Sequence, residues 1–251
     1  MDKIKKNLIN NLFFYTRNVL IETTNRCNYS NIHLKCPLSL IKEKKILSFD
    51  YICKVLDELG KYDFSGIIYP FNYSEPLIDP RFFLIIREIK KRVPKARVWI
   101  YTNGFMVDDN MLKELDDLGI ERINFSVYSE SEGIYIHKMI LRNRDSMNVT
   151  LRAYQRYPFC QKMNDKISWY ESNPININRG CPSPYKFLTI NSFGEVIICC
   201  HDWKRKHVLG NIKEESIKDI FLKDEVIEMY YNLIKGDRNK YYLCSRCNKH
   251  R

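Results

Sequence analysis

The sequence predicts an α/β fold on a parallel sheet, followed by a small cysteine-rich unit. Short apolar runs read as buried strands at residues 18–23, 66–71, 97–101 and 122–128. Amphipathic stretches at 49–59, 80–91 and 110–118 fall between them. Strands alternating with helices at this spacing build βα units. The C-terminal part is set apart by its cysteines: Cys181 and Cys199 stand singly, and Cys244 and Cys247 form a CxxC.

The elements follow in order. Residues 18–23 (NVLIET) read as a buried strand. Ser48 is a candidate N-cap for the helix over 49–59, which puts Ile52, Val55, Leu56 and Leu59 on one face, with Gly60 as its stop. The strand at 66–71 and the helix at 80–91 form the next unit, and the strand at 97–101 and the helix at 110–118, ending at Gly119, form the third. Residues 148–154 read as one more strand after that at 122–128; the rest of 129–179, rich in basic, aromatic, Asn and Pro residues, reads as loops. Strands at 186–190 and 195–200 flank a hairpin turn, and helices follow near 216–221 and 225–234. Three segments result: a core over 1–145, a last strand with connecting loops over 146–180, and the cysteine-rich unit over 181–251. Such sheets place chemistry at the C-terminal ends of their strands.

Composition narrows the class. The chain has 251 residues, 45% of them hydrophobic and 28% charged, as in globular proteins. No run approaches the ~20 apolar residues that span a bilayer, and residues 1–6 precede no small-residue cleavage site, so neither a membrane nor a signal peptide is expected. Nine cysteines cannot all pair, and without an export signal they predict thiols in a reducing, cytoplasmic setting. The net charge of +11 admits nucleic acid, an acidic substrate or an acidic electron-donor protein. The basic residues are dispersed and do not interleave with aromatics in a recognition motif, so nucleic acid is not expected. Four thiolates supplied as single, single and pair make a metal site. Spacing alone leaves a structural zinc and an iron–sulfur cluster equally open.

Gly194, Glu195, Val196, Ile197, Ile198 and Cys199, followed by Leu209, Gly210, Asn211 and Ile212, closely resemble the auxiliary iron–sulfur (SPASM/Twitch) domain of radical-SAM enzymes. The N-terminal half carries further landmarks in order. Thr23, Thr24, Asn25, Arg26 and Cys27 look like the family's opening after the first strand. Tyr73, Ser74, Glu75 and Pro76 stand where the family has Gly-Gly-Glu-Pro, Asn103 and Gly104 close the third strand, and Ser126 ends the fourth.

The resemblance implies a partial, open TIM-type β/α barrel with a small C-terminal iron–sulfur (Twitch) domain. It implies an auxiliary [4Fe-4S] cluster on Cys181, Cys199, Cys244 and Cys247, with Cys200 turned to the other face of its strand. It also implies an N-terminal [4Fe-4S] cluster that binds S-adenosyl-L-methionine. The usual CxxxCxxC is incomplete here. One alignment uses Cys27, His33 and Cys36, imidazole being a known cluster ligand; the other puts Ser39 in place of the third cysteine. Cys53 lies within a helix and reads as core. Glu75 would take the cofactor's ammonium, with Tyr73, Ser74, Asn103 and Ser126 around it. The implied activity is hydrogen abstraction by a 5′-deoxyadenosyl radical from a small molecule, a sugar or aminocyclitol alcohol going to a ketone. The auxiliary cluster would relay an electron, and a flavodoxin or ferredoxin would serve as reducing partner. Arg152 and Arg179 are candidate substrate contacts. The alternative is a degenerate relative that keeps only the auxiliary cluster, or uses S-adenosylmethionine without radicals, as an electron-transfer or binding protein.

Overall fold

A computed structural model describes residues 16–33, 36–156, 172–175 and 178–248. The strands are β1 (Asn18–Ile21), β2 (Ile67–Tyr69), β3 (Arg97–Thr102), β4 (Arg122–Val127), β5 (Thr150–Gln155), β6 (Phe187–Ile190), β7 (Glu195–Ile197) and β8 (Val208–Asn211). They form one open sheet in the order β5-β4-β3-β2-β1-β6-β7-β8. Strands β1 to β6 pair in parallel, and β7 and β8 add on antiparallel. The α/β expectation holds, and the cysteine-rich segment joins the same sheet. Val19 of β1 pairs with Ile68 on one side and Leu188 on the other. Val19 and Ile21 are buried, as the apolar run of a central parallel strand requires.

The helices pack by their apolar stripes. Phe49–Lys61 buries Ile52, Val55, Leu56 and Leu59, and Phe82–Arg92 buries Phe82, Ile85, Ile86 and Ile89. Gly60 does not stop the first helix, which runs on to Lys61. A Cβ on Gly60 would stand 2.3 Å from the Arg92 carbonyl oxygen, so its lack of a side chain lets the two helices approach. Asp108 caps the helix Asp109–Asp117 through the Met111 N–H at 2.8 Å, and Gly119 turns the chain out at φ 72°.

Two expectations are corrected. Residues 130–143, read as loop, form the helix Glu130–Asn143. A capping box starts it: the Ser129 hydroxyl accepts from the Glu132 N–H, and the Glu132 carboxylate accepts from the Ser129 N–H. Its apolar stripe is thin, with only Ile136 and Met139 buried, which is why periodicity missed it. The strand expected over 195–200 ends at Ile197, and Cys199 and Cys200 enter a turn closed by the Asp202 N–H on the Cys199 carbonyl at 3.0 Å.

Gly60→Ala is expected to destabilise the protein by about 2 kcal/mol through overpacking against the Arg92 carbonyl. That is a fall of about 4–8 °C in the thermal midpoint, and an unchanged midpoint would show that the helices separate freely.

Candidate functional site

The C-terminal ends of the parallel strands open on a cavity of about 420 Å³. Its walls bring together Cys27, His33 and Cys36 from the loop after β1, and Tyr73, Ser74 and Glu75 from the loop after β2. Asn103 after β3 and Ser126 at the end of β4 complete the set. A turn draws the first three residues in: the His33 N–H donates to the Tyr29 carbonyl at 2.9 Å, and the Cys36 N–H to the His33 carbonyl at 2.9 Å. Ser39 is exposed and lies outside the lining, whereas His33 is part of it. The His33 Nδ1 lies 3.2 Å from the Tyr128 hydroxyl, and the two rings meet tilted at 52° with centroids 4.9 Å apart. A partner on Nδ1 holds the ring orientation.

Burial pushes the Cys27 thiol up to about 11, with Glu75 and Cys36 adding to it and the Tyr29 N–H on its sulfur opposing. A bare thiolate is costly there, and a metal cation reverses that. Glu75 is 3% exposed. Its oxygens already accept from the Thr102 hydroxyl at 2.8 Å, the Asn103 N–H at 2.7 Å and the Leu77 N–H at 3.3 Å. The carboxylate thus straps the loops after β2 and β3 together as well as facing the cavity. Burial raises its pKa to about 7 against those three donors. The Ser74 hydroxyl, also in the lining, is buried without a hydrogen-bond partner among the described residues, a group that a bound ligand would satisfy.

The substrate arginines fall elsewhere. Arg152 is exposed on the edge strand β5, Arg179 is exposed before Gly180, and neither lines the cavity. Gln155 and Arg156, at the end of the same edge strand, do. Adjacent residues of a strand face opposite sides, so alternation would not have found both; their place at the C-terminal end of β5 is the signal that finds them.

A second cavity, of about 240 Å³, gathers Cys181, Cys199, Cys244 and Cys247. Cys181 is pinned by its N–H on the Leu233 carbonyl at 2.8 Å. Cys200 lines the same cavity, contrary to the expectation that it faces away, because the strand has already ended and a turn does not alternate. Its sulfur lies 3.2 Å from His201 Nδ1. Burial holds the Cys199 thiol well above its ordinary value and Cys244 at about 12. Among the described residues no three His, Cys, Asp or Glu side chains converge as ligands of one metal ion would.

Tyr73 joins the two cavities. Its N–H donates to Glu22 Oε1 at 2.9 Å, and its hydroxyl donates to the Cys200 carbonyl.

Two family models match the chain: the Radical SAM superfamily over residues 23–157, and SPASM, an iron-sulfur cluster-binding domain, over residues 181–248. The S-adenosyl-L-methionine-dependent 2-deoxy-scyllo-inosamine dehydrogenase of Niallia circulans is 26% identical over 234 residues, 91% of each chain. The crystal structure of BtrN in complex with AdoMet and 2-DOIA has a TM-score of 0.77 at 26% identity, covering 94% of both chains. Native anSMEcpe with bound AdoMet is alike in fold alone, with a TM-score of 0.56 at 16% identity, covering 92% of this chain and 89% of its own.

Glu75 gives a pH test. Its folded pKa lies above the unfolded 4.5, so its contribution to stability is full below about 4.5, falls as pH rises toward about 7, and is flat beyond. In protein without S-adenosylmethionine this loss is on the order of 3 kcal/mol. Glu75→Gln, which gives up an acceptor but cannot ionise, should start from a lower thermal midpoint at pH 5 and lack that fall by pH 7.5. Equal slopes in the two proteins would refute the assignment.

Proposed function

The chain belongs to the radical SAM superfamily, and on that premise we propose that it oxidises an alcohol carbon of a small cyclic polyol or aminocyclitol to a ketone. The observation that carries this is one cavity at the strand ends, lined by Cys27, His33 and Cys36 together with Ser74, Glu75, Asn103 and Ser126. Its donor set fits an iron–sulfur cluster with three protein ligands and a position left for the amino acid end of S-adenosylmethionine. When bound, the clusters and S-adenosylmethionine supply a 5′-deoxyadenosyl radical and an electron acceptor. The substrate then loses a hydrogen atom from C–H, a proton from O–H and one electron, and the C=O bond forms.

This chain's residues position those groups. Cys27, His33 and Cys36 hold the N-terminal cluster, and Tyr128 orients His33 through Nδ1. Glu75 and the Ser74 hydroxyl receive the cofactor's ammonium, an exchange in which the buried carboxylate gains the cation it lacks. Asn103, which donates from Nδ2 to the Asn28 side-chain oxygen at 2.7 Å, and Ser126 flank the cofactor. Gln155 and Arg156, in place of Arg152 and Arg179, face the substrate end. Cys181, Cys199, Cys244 and Cys247 hold the auxiliary cluster, and the fully protein-ligated cage favours electron transfer over substrate binding.

The reducing partner is a flavodoxin or ferredoxin, for which the +11 net charge is complementary to an acidic donor surface. Among the described residues no helix is long and apolar enough to cross a membrane. Thiol-rich sites of this kind operate in the reducing cytoplasm.

Anaerobic reconstitution tests the reading. With dithionite and S-adenosylmethionine the protein should release 5′-deoxyadenosine, and release should drop at least a hundredfold in Cys27→Ala. Iron should fall from about eight to about four per chain in that variant. His33→Ala should behave as Cys27→Ala does, and His33→Cys should restore iron. If the wild type binds only about four irons and makes no 5′-deoxyadenosine, the chain is a relative that retains the auxiliary cluster alone.

A further inference from the structure

Arg238 is 1% exposed and lines the cavity of Cys181, Cys199, Cys244 and Cys247. A guanidinium keeps its charge and is seldom buried so completely. The chain builds the placement deliberately. Gly236 ends the helix Asp224–Lys235 in the left-handed region, φ 95°, where a Cβ would stand 2.8 Å from the Asn178 carbonyl oxygen. Two residues on, Arg238 enters the cavity and donates from Nη1 to the Cys247 carbonyl at 3.3 Å. Its own carbonyl accepts from the Tyr241 N–H at 3.0 Å, opening the turn that leads into the CxxC.

A buried charge of the opposite sign stands near. Asp202 is fully buried in the turn after Cys199 and accepts from the Lys206 N–H at 2.9 Å and the His207 N–H at 2.7 Å. The Asp202 N–H donates to the Cys199 carbonyl at 3.0 Å, so both side chains belong to the turns that carry the cysteines.

We infer that Arg238 is a positioning residue that raises the reduction potential of the cluster in this cage, with Asp202 as the opposing charge. The inference deepens the reading above and rests on its assignment of an iron–sulfur cluster to the four cysteines. Four thiolates leave such a cluster with net negative charge, and reduction adds one more. A cation held nearby in a weakly screening interior favours the reduced form more than the oxidised one. The electron taken up is the second of the two leaving the substrate alcohol, after the hydrogen atom has carried off the first.

The test uses the full chain in a Cys27→Ala background, reconstituted anaerobically so that only the auxiliary cluster titrates, with a redox titration followed by EPR. Arg238→Gln should lower the midpoint by at least tenfold in the reduction equilibrium, 59 mV for one electron. Arg238→Lys should retain most of the potential, and Asp202→Asn should raise it. A Gln variant with full iron and less than a twofold change, about 18 mV, overturns the inference and leaves the cluster assignment intact. Zinc or no iron in the background protein overturns the assignment and the inference with it. If the Gln variant fails to bind iron, Asp202→Asn decides the matter, and no rise in its midpoint overturns the inference.

Discussion

A single buried carboxylate, Glu22, holds the two cavities in register. It sits just past β1, the strand flanked by β2 and β6, and so reaches the loops that follow both neighbours. One oxygen accepts from the Tyr73 N–H at 2.9 Å and the other from the Ser192 N–H at 3.0 Å. At 4% exposure the burial raises its pKa, and the two backbone donors offset part of that cost. Without the carboxylate two N–H groups would lose their acceptor inside the protein, each costing about 1–3 kcal/mol. The link continues through Tyr73 to the Cys200 carbonyl, from the first cavity into the cysteine turn. The position of the auxiliary cage relative to the strand ends therefore depends on a short hydrogen-bonded path, in addition to the continuous sheet.

Both cavities are built by the same packing that builds the core, and this makes their chemistry conditional on a bound cation. Burial pushes the Cys27, Cys199 and Cys244 thiols above their ordinary range. Metal binding at such a site releases protons and converts a desolvation penalty into coordination energy. Glu75 is subject to the same logic from the other side: burial raises it, and an ammonium ion is the group that would bring it down.

Much of this was legible in the sequence because the signals were periodic or ordered. Ile52, Val55, Leu56 and Leu59 fall on one helical face and pack as that face requires. Cys27, Glu75, Asn103 and Ser126 each follow or end a strand, and a parallel sheet brings strand ends to one rim. What escaped depends on lengths and contacts that spacing does not encode. The helix Glu130–Asn143 carried its signal in the Ser129–Glu132 capping box while its apolar face stayed thin. Cys200 was assigned by strand alternation three residues beyond the point where the strand stops. Arg238 had no motif at all; its burial follows from the left-handed turn at Gly236 and the cage around it.

The two cavities differ in a way that separates their roles. The first is the larger, about 420 Å³, and presents two thiols and an imidazole together with the polar groups of Ser74, Glu75, Asn103 and Ser126. That leaves room for a ligand beside whatever the three donors hold. The second is about 240 Å³ and has sulfur on several sides, with Cys200 and His201 beside the four expected ligands. A cage closed by the protein offers no position to a substrate, so what remains adjustable is its electrostatics. On the proposed reading that adjustment would lie with fixed buried charges such as Arg238, and binding specificity would lie with the first cavity, where Gln155 and Arg156 stand at the end of an edge strand. Because the edge strand pairs only with β4 among the described strands, its end can vary without disturbing either set of cluster ligands. Substrate preference in this architecture can therefore change independently of the electron path.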